Sequence, residues 1–590
     1  MISSDWQIAP AGTGPGSDRS VALFVFFLLA AVSLLPMLLT PFPAMVDYPN
    51  HLARMYILRQ NGTPDANPYY DVVWALYPNL AMDLLVPKMA SLIGVEKAAR
   101  LFLLLSQLLI VGGAVALERV VKGRFQFAGF AALMFLYCLP FAWGFVNFEF
   151  GLGVALWGIS AYLMVAERGW WWRFAVNAIF VTVLFVAHFF SLGIYGATLG
   201  FYELWRAHDK TWPYRDLALR LVALAIPVVA LFGIMRLTAG SLGSEGTAWF
   251  LEFKPLWPFR IMNGYNLTVS AASALALIAL LYLAAKRGVL KLAPAGIWIS
   301  IGFALLYLAI PSKLFGTSFA DLRVIPAAAL IVPAFCSLSL PSRRWTVGAL
   351  VAASGITLAN LATVFVVWLS YRADYAAIIG SFHKIDCGSR VLIGSSGDGE
   401  DPPFNDLTQY PMAYIPTLAV HYAAAFVPNV FAEEGKQPVR VRAAVRRLAI
   451  PYGGPMPIRE LAAIAAGGTL TDIPPFVRSW YRDYDYLYVL GPRVENQLPA
   501  LLEELDGSER FVLYKIRHTP SLGGASAARC SSAACPTPDQ LKTGHPNPPS
   551  ICRKPEAASL QTPKAAARRE VGAYRYIEAD ETKYCSAKGA

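Results

Sequence analysis

Long apolar windows beginning near residues 21, 97, 125, 150, 220, 268, 293, 323 and 345 leave most of this chain one kind of fold. A bilayer span takes about 17 to 25 apolar residues, and inside hydrocarbon every backbone N–H and C=O must find a partner, which a helix supplies from within itself. A further apolar run, Phe174 to Leu204, is too long for one helix. It reads as two short spans meeting near His188, which brings the expected number to about eleven. One long tilted helix is the alternative, and it would reverse the side of everything downstream. Composition agrees: 56% of the residues are hydrophobic and 15% are charged, whereas soluble domains run at roughly 25% charged.

Loop charge arbitrates between the two readings. With the N-terminus inside, the loops expected in the cytoplasm are 118–124 (ERVVKGR), 167–173 (ERGWWWR), 203–220, 286–291 (KRGVLK) and 341–345 (PSRRW), and each carries Lys or Arg. The intervening loops are aromatic, Gly-rich and poorer in net positive charge, as the positive-inside rule requires. Two spans across 174–204 keep this alternation intact, and an odd total places everything after about Ser370 outside. The formal net charge of +11 is then largely topology. No basic patch with interleaved aromatics stands in the soluble part, so no nucleic-acid partner is expected. Residues 1–20 form a polar cytoplasmic tail, and no A-x-A site follows the first apolar run, which therefore reads as an anchor.

The expected fold class is a polytopic α-helical membrane protein with a small C-terminal α/β domain on the outer side. The membrane domain covers 21–371 and includes a long first outer loop, 41–96. The α/β domain covers 372–518: apolar runs at 390 (RVLIG), 424 (AAFVPNVFA), 484 (YDYLYVLG) and 510 (RFVLYKI) read as strands, and PMAYIPTLAVHYA and NQLPALLEEL as helices. Residues 519–590, rich in Ala, Ser, Pro and Lys, read as a disordered tail. It holds Cys530, Cys535, Cys552 and Cys585, whose spacing fits no zinc template and which would be free to pair outside the cytoplasm. The acidic loop around Asp398 reads as a plain loop, with weak calcium binding the alternative.

The polar residues at span ends sort to one face. The island VDYPNHLAR at 46–54 follows the first span and carries Asp47, His51 and Arg54; Asn147 and Glu149 lie between the third and fourth spans; His188 lies at the fifth-to-sixth turn; Lys313, Asp321 and Arg323 lie between the ninth and tenth. Ionisable groups in a helix bundle are costly and tend to mark function, so all of these on the outer rim predict an outward-facing polar cavity. Each has a plainer role open to it. Asp47 could cap a helix opened by Tyr48 and Pro49, His51 could be a surface histidine, and Glu149 could pair with a cation. His188 could pack among aromatics, and Arg323 could anchor a span start.

One span, an Asp in the long outer loop behind it, the stretch LAMDLLVPKMASLIGVEKAARLF ending in G-x-x-x-A-A-R-L, many further spans and an outer C-terminal domain: over residues 20 to 370 this resembles the GT-C superfamily of membrane glycosyltransferases. Within it the likeness is to the bacterial branch of protein mannosyltransferase-like and aminoarabinose-transferase-like enzymes. The resemblance implies a bacterial inner-membrane enzyme that moves a sugar, with inversion, from a polyprenyl-phosphate donor to an envelope lipid, glycan or protein. It maps the first-loop catalytic acid onto Asp47 and the second-loop acid onto Glu149. Such a reaction needs a base for the acceptor hydroxyl and cations for the departing phosphate. Asp47 would be the base; Arg323 and Lys313 would meet the phosphate; His51 and Glu149 would position acceptor or donor hydroxyls, or hold a divalent metal if one is needed, and Arg54, Asn147 and His188 would bind substrate. The first loop has no D-x-D and the second site reads N-F-E, which leaves sugar, acceptor and metal requirement open. A transporter or flippase for a lipid-linked saccharide is the alternative, though no internal repeat of the kind such proteins use is present. An inactive scaffold of the same architecture is the third reading.

Overall fold

The computed structural model describes residues 16–239, 246–314, 317–397, 410–450, 453–468 and 473–518. The expected disordered tail with its four cysteines, and the loop around Asp398, lie outside the described residues.

Helices fill the apolar windows. Among the described residues seven are long and apolar enough to cross a membrane: Arg19–Leu39, Val95–Lys122, Val146–Met164, Trp170–Ala187, Tyr214–Thr238, Leu267–Lys286 and Arg343–Lys384. Ala128–Trp143, Pro294–Ala309 and Val324–Phe335 are shorter and apolar. Phe189–Asp209 is long enough, but its last two turns carry Glu203, Arg206, His208 and Asp209. Between Ala187 and Phe189 the chain leaves the helix: His188 has φ −166° and ψ 125°. The break expected near His188 is therefore a single extended residue.

Small residues set the closest helix approach. A Cβ on Gly113 would come within 2.7 Å of Leu156, and one on Gly153 within 2.7 Å of Leu109, so the Val95–Lys122 and Val146–Met164 helices pack backbone to backbone. The indole of Trp157 then donates to the Leu109 carbonyl at 3.1 Å.

The long first loop, 41–96, is folded. It contains the helix Tyr48–Gln60, strand β1 (Tyr70–Val72) and the helix Ala81–Ile93, which stops at Gly94 (φ +82°). At the opposite end of the bundle β2 (Leu290–Leu292) pairs antiparallel with β3 (Cys336–Leu338). The C-terminal part adds β4 (Val391–Ser395), β5 (Val439–Val441), β6 (Met456–Pro457), β7 (Tyr486–Leu490), β8 (Leu502–Gly507) and β9 (Phe511–Ile516). Five of these form one mixed sheet in the order β6-β4-β7-β9-β8, with β4 parallel to β6 and β7 and the other pairings antiparallel. All five residues of β7 are buried, as expected of a strand covered on both faces.

Two assignments made from the sequence change. NQLPALLEEL contributes edge strand β8 instead of a helix: its Glu503 and Glu504 sit on the exposed edge and pair with Arg517 (3.3 Å) and Arg493 (2.7 Å), so sheet pairing overrides the helix preference of Leu and Glu. AAFVPNVFA is no strand beyond a single bridge of Phe426 with Arg390. Pro428 cannot donate to a ladder, and the Val427 N–H is taken by the Tyr70 hydroxyl at 3.2 Å.

That contact belongs to a seam that seats the C-terminal domain on the long first loop. β1 pairs antiparallel with β5, Tyr70 opposite Val441. Asn67 donates to the carbonyls of Val420 (3.1 Å) and Ala425 (3.0 Å).

Candidate functional site

Asp47 occupies the N-cap position of the Tyr48–Gln60 helix, yet its side chain makes no capping hydrogen bond. Its backbone is held instead: the Asp47 N–H donates to Trp143 O at 3.0 Å and the Val46 N–H to Ala142 O at 3.2 Å. The turn that receives them ends at Gly144, whose φ of +93° suits glycine. A Cβ there would lie 2.9 Å from that of Asp47, so only glycine lets the two loops meet. The carboxylate is half-buried. Burial pushes it up to about 7, against the opposing pull of Arg323 and Arg54.

Arg323 is buried at the start of the Val324–Ile331 helix inside a cage of rings. Its guanidinium carbon lies 4.3 Å from the centroid of Phe145, 4.9 Å from Phe190 and 5.8 Å from Phe148. It donates to Ser318 O at 2.8 Å, while its Nε is buried without a partner. His188 shares the cage, 5.4 Å from Phe148 and 6.0 Å from Phe190, its Nδ1 likewise unpartnered. The helix break that positions it is braced from the first loop: Asn79 Oδ1 accepts the Phe189 N–H at 3.1 Å, and the Leu80 N–H donates to Val186 O at 2.7 Å.

Asn147 belongs to this brace. It donates to Asn79 O at 2.7 Å and accepts from the Met82 N–H at 2.9 Å. Glu149 is buried two residues on, with the Cys138 thiol 3.6 Å away. Arg54 is committed to Asp83: Nε lies 2.8 Å from one oxygen and Nη2 donates to the other at 2.9 Å, both residues being buried. Lys313 is half-buried and bridges backbone to backbone with Ala248. Asp321 accepts from Ser312 at 2.8 Å and lies 3.5 Å from Lys254.

His51 looks toward the C-terminal domain, its ring edge-on to Phe431 at 5.4 Å. Burial and the charge of Arg54 hold its imidazole well below the usual range, opposed by a hydrogen bond with the Gly144 backbone. Asn50 pins the loop that carries Phe431, donating to Asn429 O at 2.6 Å and accepting the Phe431 N–H at 2.7 Å. Tyr414 lies beside Phe431, at 6.2 Å. It is within reach of Asp47's charge, which adds to burial in raising its phenol.

Asp47, His51, His188 and Arg323 thus gather around the Gly144–Phe148 turn. Arg54 and Asp321 neighbour them but are engaged by other charges. Asn50, Asn79, Gly144, Tyr414, Phe431 and Lys254 were not anticipated. Asn50 stood inside the 46–54 island; Tyr414 and Phe431 carried no local signal, because more than 360 residues separate them from Asp47. Trp257 is buried edge-on to Phe319 at 5.9 Å, and Phe319 lies 5.0 Å from Trp143. No group of three or more His, Cys, Asp or Glu side chains placed to hold a metal occurs among the described residues. The arrangement offers a carboxylate poised near neutrality, a buried cation with a spare donor, and aromatic walls.

No family model matches the chain, and no curated protein does. Among solved structures it is similar to the crystal structure of ArnT from Cupriavidus metallidurans bound to undecaprenyl phosphate, with 14% identity over 87% of this chain and 99% of that one and a TM-score of 0.44. It is also similar to the same protein in the apo state, with 14% identity over 85% and 98% and a TM-score of 0.47.

Proposed function

We propose that the chain is an integral-membrane glycosyltransferase of GT-C type, moving a sugar with inversion from a polyprenyl-phosphate donor to a lipid, glycan or protein acceptor outside the cytoplasm. The observation that carries this is the Asp47 carboxylate, which stands at a helix start without capping it, half-buried and held near neutrality. A general base works best with a pKa close to the operating pH.

In the proposed reaction Asp47 takes the proton of the acceptor hydroxyl. The oxygen attacks the anomeric carbon, the bond from that carbon to the phosphate oxygen breaks, and polyprenyl phosphate leaves with the electron pair. Arg323 meets the growing negative charge, its planar fork able to grip two oxygens, and Lys313 adds a second cation. His51, Glu149 and His188 orient sugar and acceptor hydroxyls. Asn147 and Arg54 act through position, bracing the loop and the helix that carry the site. Tyr414 and Phe431 close it from the C-terminal domain.

The chain crosses the bacterial inner membrane about eleven times, with its N-terminus in the cytoplasm and its C-terminal domain outside. The test is mass spectrometry of envelope glycans and glycolipids from cells carrying the intact gene, a deletion, or Asp47→Asn at matched membrane abundance. Loss of the same sugar increment in the deletion and the variant supports the proposal. An envelope altered by the deletion alone would instead favour a transporter or scaffold.

A further inference from the structure

At the membrane face opposite Asp47, the Trp170–Ala187 and Tyr214–Ala239 helices flank a cavity of about 480 Å³. One wall is apolar: Leu219, Val222, Ala223, Leu224 and Ile226 of the second helix. That helix has only 6% of its apolar window buried within the protein, so the wall runs directly into the lipid region. The other wall is cationic and aromatic: Trp170, Arg173, Trp212 and Arg220. Arg220 lies 3.9 Å over the ring of Trp212 and 3.3 Å from Glu203, so its charge is shared. Arg173 differs. Its Nε is buried without a hydrogen-bond partner, and no carboxylate among the described residues is paired with it.

The neighbouring cluster around Glu203 satisfies its charges. Arg206 reaches Glu167 at 2.8 Å and Glu203 at 3.5 Å, and Tyr162 donates to Glu203 at 2.9 Å. An unpaired guanidinium on the wall of a cavity open to lipid is complementary to a ligand with an anionic head and an apolar tail. The exposed Trp170, Trp171 and Trp172 set this level at the headgroup region, where indoles concentrate. Basic pockets between helices at such a depth bind anionic headgroups. Asp216 also lines the cavity; it would repel a bare phosphate and accept from a headgroup hydroxyl.

We propose that this cavity is a binding site for an anionic phospholipid with a hydroxyl-bearing headgroup, held by Arg173 through its phosphate. The site does not depend on the sugar-transfer reading.

The experiment is native mass spectrometry of the full chain in detergent, titrated with phosphatidylglycerol, phosphatidylcholine or inorganic phosphate. Phosphatidylglycerol is expected to bind in preference to phosphatidylcholine, and Arg173→Gln to weaken it about fivefold, the worth of one basic side chain at a membrane surface. Arg323→Gln is expected to leave this binding unchanged, which separates the cavity from the Asp47 site. Arg173→Met, which keeps the apolar stem, replaces the Gln variant should that fail to fold. Equal binding of phosphatidylcholine, full competition by inorganic phosphate, or loss of binding in Arg323→Gln but not in the Arg173 variants would each overturn the proposal.

Discussion

The two rims of this molecule handle charge in opposite ways. On the rim away from Asp47, ionisable groups close on one another: Glu203 joins Tyr162, Arg206 and Arg220, and Lys122 pairs with Glu118 at 2.8 Å while Glu118 also accepts backbone N–H groups of residues 126 to 128. On the Asp47 rim, Arg323 Nε and the Nδ1 atoms of His51 and His188 are buried and unpartnered. A buried polar group left unmatched costs about 1–3 kcal/mol. The first rim therefore holds the fold together, and the second keeps hydrogen-bonding capacity that the protein does not use on itself. Pairing, more than burial, separates the two rims, and the buried Nε of Arg173 stands unpartnered on the first.

Substitutions can break this contrast. The largest effect is expected at Asp47, where Asn keeps the shape and removes the base; transfer should fall by about 10²–10⁴, with the protein still inserted and folded. Arg323→Gln is expected to lower turnover by about 10²–10³, the cost of losing one stabiliser of a developing anion. Arg323→Lys should recover only part of this, since an ammonium lacks the two-point grip. Turnover per folded protein reads both.

Arg54 tests the other side of the comparison, because it lies near the site but is paired. Arg54→Ala should destabilise the protein by about 3–5 kcal/mol by stranding Asp83, and Asp83→Ala in the same chain should restore much of the loss. A double-mutant cycle on thermal unfolding measures this. An Arg54→Ala variant that stays stable but loses substrate affinity would move Arg54 into the binding site.

Gly144→Ala should cost about 1–3 kcal/mol through its left-handed backbone and lower turnover further by pushing Asp47 aside. Stability against pH gives a further contrast. Because burial raises the Asp47 pKa from 3.8 to about 7, the folded state binds the proton more tightly than the unfolded one between those values. Asp47 then contributes a loss of stability as pH rises from about 4 to 7. Asp47→Asn should raise Tm relative to wild type at pH 8 and leave it unchanged near pH 4, as scanning fluorimetry would show.

Much of this was legible because it is local. Apolar windows and loop charge located the helices, and the excess length of 174–204 located the break at His188. The island at 46–54 and the Arg at the start of 324–331 supplied residues that the structure brings together. Long-range pairing was not legible. Nothing near Tyr414 or Phe431 shows that Asn50 will draw their domain over His51, and a stretch like LLEEL reads as helix until an edge of β9 claims it. Nor does spacing reveal that Asp83, across a turn, neutralises Arg54, or that Asn79 and Asn147 brace the break.

The most direct measurement of the central claim is the pH dependence of polyprenyl phosphate release. Purified wild type and Asp47→Asn would be reconstituted with polyprenyl-phosphate sugars extracted with envelope acceptors from the same cells, a readout that does not require the sugar to be known. Asp47 as general base predicts release that rises with pH through a midpoint near 7 in wild type and is lost in Asp47→Asn at every pH. Release by the variant at the wild-type rate, with the same midpoint, would contradict it.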